Sequence, residues 1–201
     1  MTAQKEAVEK KEKLTSYEEM KGDLFVWLQA LMVCLVTLIV VFTFCGRVVG
    51  VKGDSMYPTL HDGDMLLLRS VGYTPKQGDI VVLNKKSGVF DEAIVKRIIA
   101  VGGQTVSIDY AAGTVTVDGQ VLEDDYIAEV MTLPPDPYEN ITEVTVPEGS
   151  VFVMGDNRNH SSDSRDVTLG TVDERYVLGR ALWVLLPFQN FGAIVHGSAV
   201  A

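Results

Sequence analysis

Hydrophobic and polar positions alternate with two different rhythms along the chain. From Leu24 to Cys45 no charged side chain occurs, and Gln29 and two threonines are the clearly polar groups. About 22 residues in helical form rise about 33 Å, enough to cross the hydrocarbon core of a bilayer. The pattern predicts a transmembrane helix at 24–45, because a buried core helix of that length, apolar on all faces, is uncommon in a small soluble domain. Beyond it the rhythm shortens. β-branched or apolar runs recur at 47–51, 64–69, 79–84, 93–101, 104–109, 114–118, 144–146, 150–154 and 180–186, separated by turn pairs such as Asp62-Gly63, Gln77-Gly78, Asp118-Gly119 and Glu148-Gly149. This spacing predicts a mostly β, antiparallel domain over 46–201. Thr105–Asp109 and Thr114–Asp118 alternate polar and apolar residues, as a hairpin with one wet face does. Pro134-Pro135-Asp136-Pro137 forbids regular structure within 126–142, which reads as a long exposed excursion. Thr171, with Glu174 three residues on, predicts a capped helical turn at 171–177.

The chain has 201 residues, 47% of them hydrophobic, room for one folded domain and an anchor. The apolar run is too long for a cleaved leader, and Gly46-Arg47-Val48-Val49 offers no small-x-small cleavage site, so a retained anchor is expected. Residues 1–23 read as a soluble, charged tail. Lys5, Lys10, Lys11, Lys13 and Lys21 precede the span, against Arg47 and Lys52 in the twenty residues after it. That asymmetry puts the N-terminus in the cytoplasm and the main domain outside. The net charge is −10, and the first 23 residues hold five lysines against six acids, which leaves −9 on the remainder. So acidic a domain excludes nucleic acid as an expected partner, whereas the lipid bilayer is one.

Cys34 and Cys45 are the only cysteines and both fall in the span, which excludes a disulfide framework outside. His61, His160 and His196 are dispersed, no CxxC pair occurs, and no phosphate-cradling loop is present, so neither a metal nor another cofactor is expected.

Two residues carry the candidate chemistry. Ser55 lies in Gly53-Asp54-Ser55-Met56-Tyr57-Pro58-Thr59-Leu60, and no nearby histidine is read as its base. A serine after Gly-Asp is most often an ordinary turn residue, but Gly53 permits backbone angles denied to other residues and Pro58 stiffens the chain after Met56-Tyr57. Ser55 could then sit on a constrained loop with its amide open to an oxyanion. Its base would be Lys96, in Ile94-Val95-Lys96-Arg97-Ile98-Ile99. A strand lysine usually faces solvent, and at an ordinary pKa of about 10.4 it is a poor base. Lowering that to about 8 takes roughly 3 kcal/mol of destabilisation of the ammonium, which burial among apolar neighbours can supply. Arg97 should point to the opposite face, into an ion pair. A third stretch, Met154 to Asp166, is crowded with hydroxyls, carboxylates and two arginines. It reads as a surface loop or as a hydrogen-bonded scaffold beside an active site.

Taken in order, Gly53–Leu60, Gly78-Asp79-Ile80-Val81-Val82, Val95 to Gly103, and Gly155-Asp156-Asn157-Arg158 through Ser161, Asp163, Ser164 and Arg165 resemble the motifs of bacterial type I signal peptidases. The resemblance covers most of the chain from the anchor to Arg165. It implies a serine endopeptidase with a Ser/Lys dyad that removes signal peptides from exported preproteins at the outer membrane face. Ser55 would be the nucleophile and Lys96 the general base; Ser161 would orient the lysine amine, and Asp163 and Arg165 would brace the site. The implied fold is a β-rich catalytic core with an inserted β region, here about 104–142. Some members carry a serine two positions before the nucleophile that helps bind the oxyanion; here that position is Gly53, which leaves the Ser55 amide as the assigned donor. Substrates would present small residues at the first and third positions before the cut, with Ile94 and Val95 lining those pockets or serving as core.

Two other readings compete. A self-cleaving Ser/Lys repressor-type protease needs a DNA-binding region where this chain has an apolar span. A membrane-anchored β module that binds partners without chemistry is opposed by Ser55, Lys96 and Ser161 occurring together. The final Ser198-Ala199-Val200-Ala201 ends in Ala-x-Ala, by chance or as a mimic of cleaved product.

Overall fold

The computed structural model describes residues 20–40, 46–84, 92–132 and 140–197. The chain divides into two compact units, residues 1–44 and 45–201. In the first, helix α1 (Met20–Val40) is long and apolar enough to cross a membrane. It is exposed along its whole length, Phe25 and Trp27 included, an arrangement that water penalises at about 25 cal/mol per Å² of apolar surface and lipid does not. The helix starts before Leu24, taking in Lys21 and Asp23, because backbone hydrogen bonding runs on past the end of the apolar sequence. Residues 1–19, 41–45 and 198–201 lie outside the described residues, and with them most of the tail, Cys45 and the terminal Ala-Val-Ala.

The second unit is β throughout. Its strands are β1 (Arg47–Gly50), β2 (Met65–Arg69), β3 (Ile80–Leu83), β4 (Ile94–Val101), β5 (Thr105–Asp109), β6 (Thr114–Val117), β7 (Gln120–Val121), β8 (Glu143–Thr145), β9 (Ser150–Met154), β10 (Val172–Asp173), β11 (Val177–Leu186) and β12 (Gly192–Ala193). An eight-stranded sheet runs β1-β2-β11-β3-β4-β9-β10, with β12 added to β11, and a four-stranded sheet runs β7-β6-β5-β8. All the pairings are antiparallel.

Sequence pattern explains the division. In β3 every side chain is buried: Ile80 and Val82 join a cluster with Met56, Leu60, Leu66, Leu68 and Val95, while Val81 and Leu83 join one with Ile98, Val151 and Val153. A continuous apolar run is what a strand covered on both faces requires. β5 and β6 instead alternate, and their inward residues Val106, Ile108, Val115 and Val117 pack on Ile99, Ala100, Phe152 and Met154 of the larger sheet. A register shift between Ile98 and Ala100 against β9 puts the consecutive residues Ile99 and Ala100 into this one cluster.

Two expectations need correction. Residues 171–177 are not a Thr171-capped turn: Val172 is fully buried and paired with Val151 in β10, so strand pairing claims the start of the segment. The 3-10 turn begins at Glu174, and Asp173 caps it by accepting from the Arg175 amide at 2.8 Å. Nor is the stretch from 126 exposed throughout, although Ala128, Glu129, Val130 and Thr132 are exposed. Residues 133–139 lie outside the described residues, but Met131 is buried in the core, the Arg97 guanidinium lies 3.9 Å above the Tyr126 ring, and Asn140 bridges to Asp166. Composition shows that such a segment is irregular, not that it is uncovered.

Candidate active site

The loop from Val51 to Asp64 is closed on itself before it meets anything else. The Val51 amide donates to Asp64 O at 2.7 Å and the Gly63 amide to Val51 O at 3.0 Å, while the Gly53 amide donates to Asp62 Oδ1 at 2.7 Å. Gly53 has φ +77°, in the left-handed region that costs a side-chain-bearing residue about 1 kcal/mol or more. Met56 and Leu60 then anchor the loop in the core, and Ser55 is left half-buried just before the first anchor.

Lys96 reaches Ser55 from the middle of β4, where it pairs with Val81. Its Nζ lies 2.6 Å from Ser55 Oγ, and the residue is 4% exposed. Burial pushes the amine down to about 8, against the pull of the Asp163 carboxylate, which favours the charged form. At neutral pH about one molecule in ten then holds an uncharged amine, against a few in ten thousand for a solvated lysine.

Behind the pair lies a buried charge network. Asp163 takes both nitrogens of the Arg165 fork, Nε to Oδ1 at 2.7 Å and Nη2 to Oδ2 at 2.9 Å. It also accepts from the Gly155 amide at 2.9 Å and from the Ser161 hydroxyl at 2.6 Å. Burial works to raise this carboxyl, but the Arg165 charge and the hydrogen bonds from Arg165, Ser161 and Gly155 outweigh it and hold it below the usual carboxylate range. The Ser161 hydroxyl thus donates to Asp163 and makes no hydrogen bond to Lys96. Of the two expected pocket residues, Val95 packs in the cluster that holds Met56, whereas Ile94 packs with Val81 and Leu83 in another.

Sequence reasoning missed a second network that grips the serine loop from the other end. Arg97 forms the expected ion pair, and its partner is Asp156, met through Nε at 2.8 Å and Nη2 at 2.7 Å. Thr59 of the serine loop donates to the same carboxylate at 2.5 Å. Asn157 binds the backbone at Asp54 and Ser55, and Arg158 pairs with Asp124 through both Nη atoms at 2.8 Å. Gly155 has no room for a side chain: a Cβ there would overlap Ser161 Oγ and the Ser55 carbonyl. The only signal of this in the chain was the crowding of polar residues directly after β9. Among the described residues no His, Cys, Asp and Glu cluster is placed to hold a metal ion. A cavity of about 630 Å³ beside Pro58, Thr59, Tyr126 and His196 is lined by neither Ser55 nor Lys96, so it is the contact between those two that marks the site.

Comparisons with known proteins show the family of the chain. Residues 24–186 match the family model of signal peptidase, peptidase S26. A probable signal peptidase I-1 of Synechocystis sp. is 38% identical over 82% of this chain and 83% of its own length. Signal peptidase I of Bacillus licheniformis is 35% identical over 85% of this chain and 92% of its own. The crystal structure of a signal peptidase I from Enterococcus faecalis V583 aligns with 54% of this chain and 97% of its own at 29% identity, with a TM-score of 0.41. The class these matches define is that of the serine peptidases, which are hydrolases. Within it, the chain belongs to the signal peptidase family, peptidase S26, and shares the general signal peptidase I function of its relatives.

Proposed function

We propose that this protein is a membrane-anchored endopeptidase that cuts signal peptides from exported preproteins after small-x-small sites, with Ser55 as nucleophile and Lys96 as general base. The observation that carries the reading is the 2.6 Å contact between Lys96 Nζ and Ser55 Oγ, made by a lysine that burial has brought to about 8. Neutral Lys96 takes the hydroxyl proton as Ser55 Oγ attacks the scissile carbonyl, and returns it to the departing amine as the acyl-enzyme forms. Water activated by the same amine then releases the acyl group and regenerates Ser55. The Ser55 amide stabilises the oxyanion. The Gly53 amide is committed to Asp62, so a backbone donor at 53 does not replace the hydroxyl that some relatives carry there.

Asp163 and Arg165 serve by being already paired. A free buried carboxylate beside Lys96 would hold its proton on; one tied to Arg165, Ser161 and Gly155 does so less. Val95, in the cluster with Met56, lines the pocket for a small residue before the cut. Helix α1 anchors the enzyme in the bilayer with its N-terminus cytoplasmic, as the lysine asymmetry directs, so the catalytic unit meets translocated substrates.

The test is cleavage of a purified preprotein by the full chain and by its Ser55→Ala and Lys96→Ala forms. Cleavage falls to background in both while cooperative unfolding persists. Undiminished cleavage by either variant overturns the dyad.

A further inference from the structure

Asn157 stands at the N-cap of the 3-10 turn Arg158–His160, yet its side chain caps nothing there. An asparagine in this position commonly turns its side-chain oxygen back onto the amides of its own turn. Here the side chain is directed elsewhere. Asn157 Nδ2 donates to the Asp54 carbonyl at 3.1 Å, and the Asn157 backbone amide donates to the Ser55 carbonyl at 3.0 Å. One residue therefore holds the carbonyl groups of the two peptide units that flank the Ser55 Cα.

Peptide planarity converts that grip into an orientation. The Asp54 carbonyl and the Ser55 N–H belong to one rigid plane, and the cis peptides of the described residues lie elsewhere, before Pro58 and Pro187. In a trans unit the two groups point in opposite directions, so drawing the carbonyl toward Asn157 turns the Ser55 N–H away from it. Among the described residues that N–H has no hydrogen-bond partner. The Tyr57 amide donates to the same Asp54 carbonyl at 3.0 Å, which fixes the plane from a second side. Gly155, two residues before Asn157, allows the approach by leaving space against the Ser55 carbonyl.

We infer that Asn157 is a positioning residue for the oxyanion site, setting the plane of the 54–55 peptide so that the Ser55 amide faces the developing negative oxygen. The inference rests on the Ser55 nucleophile reading, and Asn157 itself touches neither the reacting atoms nor substrate. It also gives the site a means of aiming its donor without the hydroxyl that Gly53 lacks.

Asn157→Leu tests it in the full-length protein, since the replacement keeps shape and backbone bond and removes the Nδ2 donor without adding a charge. With a preprotein substrate kcat falls about 10²-fold, the loss associated with a misplacement of about 1 Å. KM, the pH at which activity rises and the unfolding midpoint stay as in the parent. Affinity for a peptide aldehyde ending in Ala-x-alaninal, whose serine adduct carries the tetrahedral oxygen, weakens in parallel with kcat. Asn157→Ala shows the same split. If kcat and aldehyde affinity are unchanged in Asn157→Leu while Ser55→Ala is inactive, the positioning role is overturned and the nucleophile stands. A loss that appears in KM, in the pH profile or in the unfolding midpoint likewise overturns it, as the mark of a structural role. Activity in Ser55→Ala overturns the nucleophile and the inference with it.

Discussion

Lys96 and Arg97 follow one another on β4, both almost wholly buried, and enter different neighbourhoods. Arg97 meets a carboxylate through two nitrogens, donates to the Gly78 carbonyl at 3.0 Å and lies against the Tyr126 ring. Lys96 meets a hydroxyl, and the carboxylate that acts on it most strongly, Asp163, is already engaged with Arg165. Both groups are buried, but only Arg97 meets an ionised partner, and through two hydrogen bonds. The guanidinium remains a fixed structural charge, while the amine can give up its proton near neutral pH. On the proposed function, the fold separates charge for holding from charge for transfer by one residue along a strand.

The sharpest way to break this contrast is to remove the amine. Lys96→Met lowers preprotein cleavage by about 10³-fold or more, while denaturant unfolding shows no loss of stability; retained cleavage would mean that the base is another group. Next in size is removal of the paired charge. Arg97→Met strands Asp156 and costs about 3–5 kcal/mol in urea unfolding, most of it regained in Arg97→Met/Asp156→Leu because no buried charge is left alone. Equal destabilisation in the single and double variants would deny that the pair is the compensating element.

The pH response comes third in size. The Lys96 value falls from 10.5 in the open chain to about 8 in the fold. Between those values the unfolded chain binds a proton that the folded one does not, so stability rises with pH across that window. The rise amounts to about 3 kcal/mol and is absent from Lys96→Met. Below that window kcat/KM climbs with pH, and it levels off above about pH 8. A flat kcat/KM from about pH 6 to about pH 9 would place the working base elsewhere. The smallest effect belongs to an exposed pair of similar geometry: Arg175 meets Asp173 at 2.8 Å in solvent, and Arg175→Ala leaves the unfolding midpoint unchanged within error.

These differences mark the boundary of what was legible in the chain. The strands were, because β3 shows the unbroken apolar run of a doubly covered strand and β5 and β6 the alternation of a half-wet one. Ser55 and Lys96 were visible because each stands in a local context that makes its chemistry unusual. Asp156, Thr59 and Asn157 were not. Thr59 and Asp156 are 97 positions apart, and no local pattern states which carboxylate in a polar stretch will receive a given guanidinium. Thr171 was mistaken for a cap because Asp173 and the pairing of Val172 compete for the same residues, and the stronger claim is set by a strand far away in sequence. Met131 was hidden by its prolines for the same reason, since burial depends on what another element places over it.

Gly155 bears on how this site can vary over time. A Cβ at this position would run into the Ser55 carbonyl and the Ser161 hydroxyl together, so even alanine is closed to it unless both move. Drift here has no small first step. A side chain at this point requires the serine loop or the 155–161 loop to shift.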